Sequence, residues 1–347
     1  MSYTFLSTEE GPPRGNATET CALLHLMCYS DDRNKIEQFA IDCFNDVTGM
    51  DGSCFVLYDI QSKVGRSITP AKLGEYLATL FENSVSDFAR YFATFTLFIG
   101  GTSPSVLDNP SLTEFGFLDM QPKAQASVKK HLAAACKSRH GGAFSQRVTD
   151  ENVDAFLSQV RFVVAKEDPV EYIRTLAHTS SALLPDDRTL KQIFAQIRDT
   201  QSSLKNRTGI AGKSIERPDE IMDYGRTMKW RDIKLLIIER LLNRDFYKDE
   251  VPDEFMAYLQ ELPPEEVIED VAEDCRNEMF AQYFDKNDRN AFWTLFDEIV
   301  TILEHNPDAS IKSAYGNIDV ETLKACRHMG RRSKLYFIAI IKDGLRK

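Results

Sequence analysis

The sequence predicts an α/β domain over residues 1–166 with a mixed central sheet, followed by an all-helical region. Three observations carry this. Apolar residues alternate from Phe39 to Val47 and a second strand-like run covers residues 54–63, the period of two expected of strands. The run from Phe88 to Ile99 is aromatic and apolar on both parities, as in a central strand covered on both faces. Beyond Pro169 the apolar spacing becomes three and four, the signature of helices with one buried stripe.

In chain order, Gly11-Pro12-Pro13-Arg14-Gly15 breaks regular structure, and Asn16 with Glu19 three residues on reads as an N-cap. A helix is expected over residues 17–29. In the strand that follows, Phe39, Ile41, Cys43 and Val47 form an apolar face, and the opposite face carries Asp42 and Asp46. Met50-Asp51-Gly52-Ser53 signals a turn, and residues 54–63 form the returning strand of a hairpin. Thr69-Pro70 opens a helix with Leu73, Leu77, Leu80 and Phe81 on one side, and Gly100-Gly101 ends the central strand. A helix over residues 125–137 and a short strand over 160–164 complete the unit.

A helical extension is expected over residues 167–245, with Ile173, Leu176, Leu183, Leu184, Leu190, Ile193, Phe194 and Ile197 at buried spacing and a denser stripe from Ile233 to Leu242. Pro252, Pro263 and Pro264 punctuate an acidic segment. Further helices over 280–284, 291–303, 318–327 and 334–342 make residues 246–347 a C-terminal helical region suited to oligomerisation or partner binding.

At 347 residues the chain is long enough for one sizeable core and a second unit. No stretch approaches the roughly 20 apolar residues of a spanning helix, and residues 1–14 lack the basic start and apolar core of a secretion signal. The seven cysteines are scattered and never spaced as C-x-x-C, which reads as reduced thiols in a cytoplasmic protein. The net charge of −11 weighs against a chain that grips phosphate backbones alone. Basic clusters occur at Lys129-Lys130-His131 with Lys137, Arg139 and His140, and at Arg327-His328 with Arg331, Arg332 and Lys334. Their plain reading is solvated helix faces. The absence of H-E-x-x-H, Walker and G-x-S-x-G patterns argues against zinc hydrolysis, nucleotide hydrolysis and serine-nucleophile chemistry by this chain.

The chemistry concentrates on the hairpin. Residues two apart on a strand share a face, so Asp59, Gln61 and Lys63 project together, as do Asp42 and Asp46 on the neighbouring strand. A tight reversal at Asp51-Gly52 sets Asp42 opposite Gln61, whereas a longer or bulged turn brings Asp46 there. Phosphodiester hydrolysis needs hard oxygen ligands for Mg²⁺, a cation for developing negative charge and an activated water. Asp46, Asp42 and the Gln61 side-chain oxygen are candidate metal ligands, and Lys63 is the candidate cation. Glu19 has two readings, a further carboxylate ligand or the reciprocal half of a capping box with Asn16.

Arg14-Gly15 before a helix, the step from Asp42 to Asp46, and Tyr58-Asp59-Ile60-Gln61-Ser62-Lys63 together resemble the restriction-endonuclease-like nucleases of bacterial anti-phage defence. In particular they resemble the family shared by CD-NTase-associated endonucleases and the nuclease partners of HerA-type ATPases. It continues through Leu80-Phe81-Glu82-Asn83, Phe162-Val163-Val164 and the stretch from Gly212-Lys213 to Arg240, about the first 245 residues. The resemblance implies a PD-(D/E)xK core that cleaves DNA with Mg²⁺ or Mn²⁺ through the Asp46, Gln61 and Lys63 positions. Asp42 stands where the family more often places glutamate. The C-terminal hundred residues look too short and too helical for a cyclic-oligonucleotide sensor, which favours the branch that works with a HerA-like hexameric ATPase. A homo-oligomeric nuclease is the expectation, and a catalytically degenerate scaffold is the alternative. Retention of Lys63 beside its acids on one strand face separates the two.

Overall fold

A computed structural model describes residues 2–5, 17–142, 144–177, 186–205, 209–261 and 267–346. Arg14, Gly15, Asn16, Leu183, Leu184, Pro263 and Pro264 lie outside the described residues. The chain divides into two compact units, the first made of Met1–Tyr172 with Phe194–Trp230 and the second of Ile173–Ile193 with Arg231–Lys347.

The first unit is built on short strands β1 (Tyr3–Thr4), β2 (Gln38–Ile41), β3 (Val47–Met50), β4 (Leu57–Lys63), β5 (Phe92–Ile99), β6 (Glu114–Gly116), β7 (Arg161–Val164), β8 (Ser214–Ile215) and β9 (Thr227–Lys229). Seven of them form one mixed sheet in the order β6-β7-β5-β4-β3-β2-β9. The β2, β3 and β4 strands are antiparallel neighbours, while β4, β5 and β7 run parallel. A parallel pair requires a crossover. The β4-to-β5 crossover carries α2 (Pro70–Tyr76) and α3 (Ala78–Ser84), and the β5-to-β7 connection carries α4 (Pro122–Ser138) and α5 (Asp150–Gln159).

Helix α1 (Ala17–Cys28) packs on β3 and β4, and α3 packs on β4 and β5. The two parities of β5 meet different helices: the Phe98 ring lies 5.7 Å from His25 of α1, and Phe95 lies 5.7 Å from Phe156 of α5. This is why the run reads as apolar throughout. The face of β4 carrying Asp59, Gln61 and Lys63 looks onto α3 and α2, where Asn83, Thr79 and Tyr76 meet these three in turn.

Three departures from the sequence reading have physical reasons. The alternating run from Phe39 to Val47 is two strands, with a tight reversal at residues 42–46. All four residues of β2 are buried, so apolar side chains persist on both parities into the turn, and Asp42 supplies the left-handed conformation (φ 53°) that a reversal without glycine needs. Beyond residue 166 the chain is not wholly helical. It returns to the α/β unit, where β9 closes the sheet edge against β2 and β8 pairs with β1. The helix expected over residues 69–81 is broken into two short ones.

Gly74 fixes the seat of α2 against α4. A Cβ there would lie 2.5 Å from the Val128 carbonyl oxygen and 2.9 Å from the Leu132 nitrogen, both backbone atoms that cannot step aside. Gly74→Ala is therefore expected to destabilise the unit by about 1–3 kcal/mol despite alanine's better helix propensity. A urea midpoint equal to or above wild type would contradict this packing.

The second unit is helical among its described residues. It contains most of α6 (Val170–Ala177), the start of α7 (Asp187–Lys205), α8 (Trp230–Leu241) after its first residue, and α9 (Asp253–Gln260), α10 (Ile268–Tyr283), α11 (Arg289–His305), α12 (Ile311–Gly316), α13 (Val320–Ala325) and α14 (Arg331–Arg346). Its core is rich in aromatics, with Phe292 4.7 Å from Tyr283 and 4.9 Å from Phe337. No helix among the described residues is long and apolar enough to cross a membrane.

Candidate active site

The β3–β4 register decides which aspartate meets Gln61. Val47 pairs with Ile60 and Thr48 with Asp59, so the next step back along β3 sets Asp46 level with Gln61. The longer turn at residues 51–56 produces this offset, and the tight-turn alternative that paired Asp42 with Gln61 does not occur. Asp46 Oδ2 accepts hydrogen bonds from Gln61 Nε2 at 2.8 Å, from the Ser62 backbone N–H at 2.7 Å and from the Ser62 hydroxyl at 2.7 Å. The carboxylate thus extends the pairing with β4 one step before β3 begins.

Gln61 is held from its other side by α3, where the Thr79 hydroxyl donates to Oε1 at 2.9 Å. Lys63, half-buried at the end of β4, places its ammonium 5.8 Å from the centre of the Tyr76 ring. Gln61 and Lys63 open onto a cleft whose lining also includes Glu75, Tyr76, Thr79, His131 and Arg139, while Asp46 lies buried behind Gln61. The structure therefore brings Asp46, Gln61 and Lys63 together where the central strands β3 and β4 meet, at the start of β3 and the end of β4.

Asp42 and Glu19 are placed differently. Asp42 lies in the β2–β3 turn, where Arg226 donates from Nη1 to its carbonyl at 2.9 Å and to its carboxylate at 3.2 Å. Glu19, on α1, forms an ion pair with Lys205 at the end of α7, and its capping partner Asn16 is outside the described residues. Arg226 also donates to the Lys205 carbonyl at 2.6 Å, which ties the two pairs into one network. The sequence reading missed both cations. They lie far along the chain from Glu19 and Asp42, and no local spacing announces a partner at that distance.

Burial raises the pKa of all three carboxylates. For Glu19 the next cause is the charge of Asp46, against which Lys205 pulls down. For Asp42, Lys205 and Arg226 pull down and Asp46 pushes up. For Asp46 the Lys63 ammonium is the largest opposing influence, followed by the hydrogen bonds from Ser62. Burial lowers the Lys205 pKa, but Glu19, Asp42 and Asp46 outweigh it and hold the ammonium protonated. Asp46 is thus electrically adjacent to Glu19, Asp42, Lys63 and Lys205, and its negative charge is incompletely compensated.

Asp59, on the same strand face as Gln61 and Lys63, is a fully buried hub. Its Oδ1 accepts from the Thr48 hydroxyl at 2.7 Å, and its Oδ2 from Asn45 Nδ2 at 2.5 Å and Asn83 Nδ2 at 2.8 Å. Burial pushes its pKa up to about 6 against these three donors.

No three His, Cys, Asp or Glu side chains among the described residues converge on a point that can hold a metal. The candidate donor set is smaller, a carboxylate from Asp46 and an amide oxygen from Gln61. That is compatible with Mg²⁺, which keeps several waters and takes one or two carboxylates beside substrate oxygens. The Gln61 amide presents Nε2 to Asp46 here, so the pair fits a cation once the amide turns. The Thr79 hydroxyl tolerates either orientation because it both donates and accepts. An under-compensated buried carboxylate is where a divalent cation gains most. A metal needs Asp46 ionised, and its raised pKa moves protonation to higher pH than for an ordinary aspartate. Mn²⁺ affinity is therefore expected to fall on acidification while a solvent-exposed aspartate would still be fully ionised, a titration that isothermal calorimetry reads directly. An affinity that stays constant down to the ordinary aspartate range would contradict the burial argument.

Comparison with protein-family models, characterised proteins and solved structures finds no match to this chain.

Proposed function

We propose that this chain is a metal-dependent DNA endonuclease of the restriction-endonuclease-like, PD-(D/E)xK type. The observation that carries the reading is the convergence of the buried Asp46, one residue before β3, on Gln61 of β4, with Gln61 and Lys63 lining an open cleft. Asp46 and Gln61 would hold Mg²⁺ or Mn²⁺. When bound, the metal supplies Lewis-acid polarisation of a phosphoryl oxygen and lowers the pKa of a water. Lys63 faces the same cleft and stabilises the negative charge that accumulates on the phosphate during attack. Thr79 and Ser62 orient Gln61 and Asp46, and the Glu19–Lys205 and Asp42–Arg226 pairs brace the end of β3. In this reading Asp42 and Glu19 shape the field around Asp46 and are not its co-ligands.

The resemblance extends the proposal to anti-phage defence, as a homo-oligomer working with a HerA-like hexameric ATPase. The acidic balance of the chain supports a partner, because additional cationic surface is needed to retain DNA. One observation favours a second reading, a degenerate scaffold: Asp46 Oδ2 already accepts three hydrogen bonds, as a purely structural carboxylate would. Incubation with supercoiled plasmid separates the two. The nuclease reading expects nicking or linearisation with Mg²⁺ or Mn²⁺ that EDTA abolishes, and the scaffold reading expects intact plasmid throughout.

A further inference from the structure

We infer that the solvent face of α4 is the docking surface for the phosphodiester backbone of duplex DNA, an inference that rests on the nuclease reading. The helix buries Ala124, Val128, Leu132 and Cys136 against the unit. On its outer side, Lys123, Lys130 and Lys137 recur every seven residues and are all exposed. Seven residues are nearly two turns, so the three ammoniums stand in a row with a spacing of about 10 Å along the axis.

Their charge is uncommitted. Among the described residues none of the three has an ion-pair partner, whereas Lys129 of the same helix is bound to Asp154 at 2.8 Å and Asp150 at 3.6 Å. In a chain of net charge −11, the row concentrates positive charge along one helix face. The side chains of Ala126, Ser127, Ala133 and Ala134 between the lysines are small, so they do not hold an approaching backbone away from the ammoniums.

Position points to the ligand. The adjoining face of α4 contributes His131, Ala135 and Ser138 to the cleft that holds Lys63 and Gln61, and Arg139 follows at its end. A polymer lying along the lysine row therefore passes the candidate catalytic face. Each strand of B-DNA presents one charge per about 3.4 Å of axis, which lets every lysine in the row meet its own phosphate. A row of separated charges with only alanines as exposed apolar residues among them fits a regular polyanion better than a lipid surface, which calls for large apolar side chains that insert.

The test measures duplex binding in EDTA, where cleavage is blocked, by fluorescence anisotropy against salt concentration. A K123Q/K130Q/K137Q protein is compared with wild type and with Lys129→Gln. Loss of three phosphate contacts is expected to make the slope of log K against log salt shallower by about 2.7. Lys129→Gln is expected to leave it near wild type, and all melting temperatures should agree because the substitutions leave the buried face of the helix untouched. An unchanged slope in the triple variant, with wild-type binding and cleavage intact, overturns the docking surface and leaves the nuclease reading standing. A wild-type protein that neither binds nor cuts duplex DNA overturns both.

Discussion

Lys63→Ala is expected to lower DNA cleavage about 10²- to 10³-fold, or roughly 3–4 kcal/mol of transition-state stabilisation, while leaving the protein folded. Lys63 is half-buried at the C-terminal end of β4, and its backbone pairing with β5 does not depend on the side chain. The packing lost includes its contact with the Tyr76 ring. A second effect distinguishes a role in the site from a structural one. The Lys63 ammonium is the largest influence holding down the Asp46 pKa, so its removal lets burial push that carboxylate further up. The acid limb of Mn²⁺ binding should then move to higher pH in Lys63→Ala than in wild type. Unaltered cleavage by a well-folded Lys63→Ala protein would place the chemistry elsewhere.

The largest stability effect is expected at Asp59, and its sign depends on the replacement. Asp59→Ala strands the Asn45 and Asn83 amides and the Thr48 hydroxyl inside the unit, at about 1–3 kcal/mol for each group that finds no new partner. Asp59→Asn keeps an acceptor for the two amides and removes the buried charge. The folded-state pKa of about 6 is raised above the ordinary aspartate value. The carboxyl therefore contributes stability that is fully present below the unfolded pKa and lost as pH rises through about 6, a swing on the order of 3 kcal/mol. Asp59→Asn should raise the melting temperature at pH 8, and the gain should vanish near pH 4. Asp59→Ala should lower it at both. A pH 8 melting temperature for Asp59→Asn below wild type would show that the three donors favour the charged form more strongly than burial opposes it.

Local chemistry made much of the first unit legible. The helix over α1, the turn at Asp51-Gly52, the Gln61-Ser62-Lys63 strand and the central β5 all follow from side-chain period and turn residues. What was not legible is non-local. The reversal at residues 42–46 has no glycine or proline, and a strand buried on both faces hides its end. The two-residue β8 and three-residue β9 carry too few side chains to show a period, and their pairing with β1 and β2 is a property of the folded sheet. The same holds for Lys205 and Arg226, which complete the charge balance of Glu19 and Asp42. The burial of Asp59 was not legible because period two gives the face of a strand and not what covers it, and here α3 brings Asn83 down onto that face.

Single-turnover cleavage of supercoiled plasmid by Asp46→Asn at saturating Mg²⁺ asks whether the buried carboxylate holds the metal that cuts DNA. The asparagine oxygen can accept the bonds from Gln61 and Ser62, so the fold should hold and the melting temperature should not fall, while the negative charge needed for the metal is gone. Wild-type cleavage that EDTA abolishes is expected, with a loss of at least about 10²-fold in Asp46→Asn. Cleavage by Asp46→Asn at the wild-type rate, or no cleavage by wild type with either Mg²⁺ or Mn²⁺, would contradict this expectation.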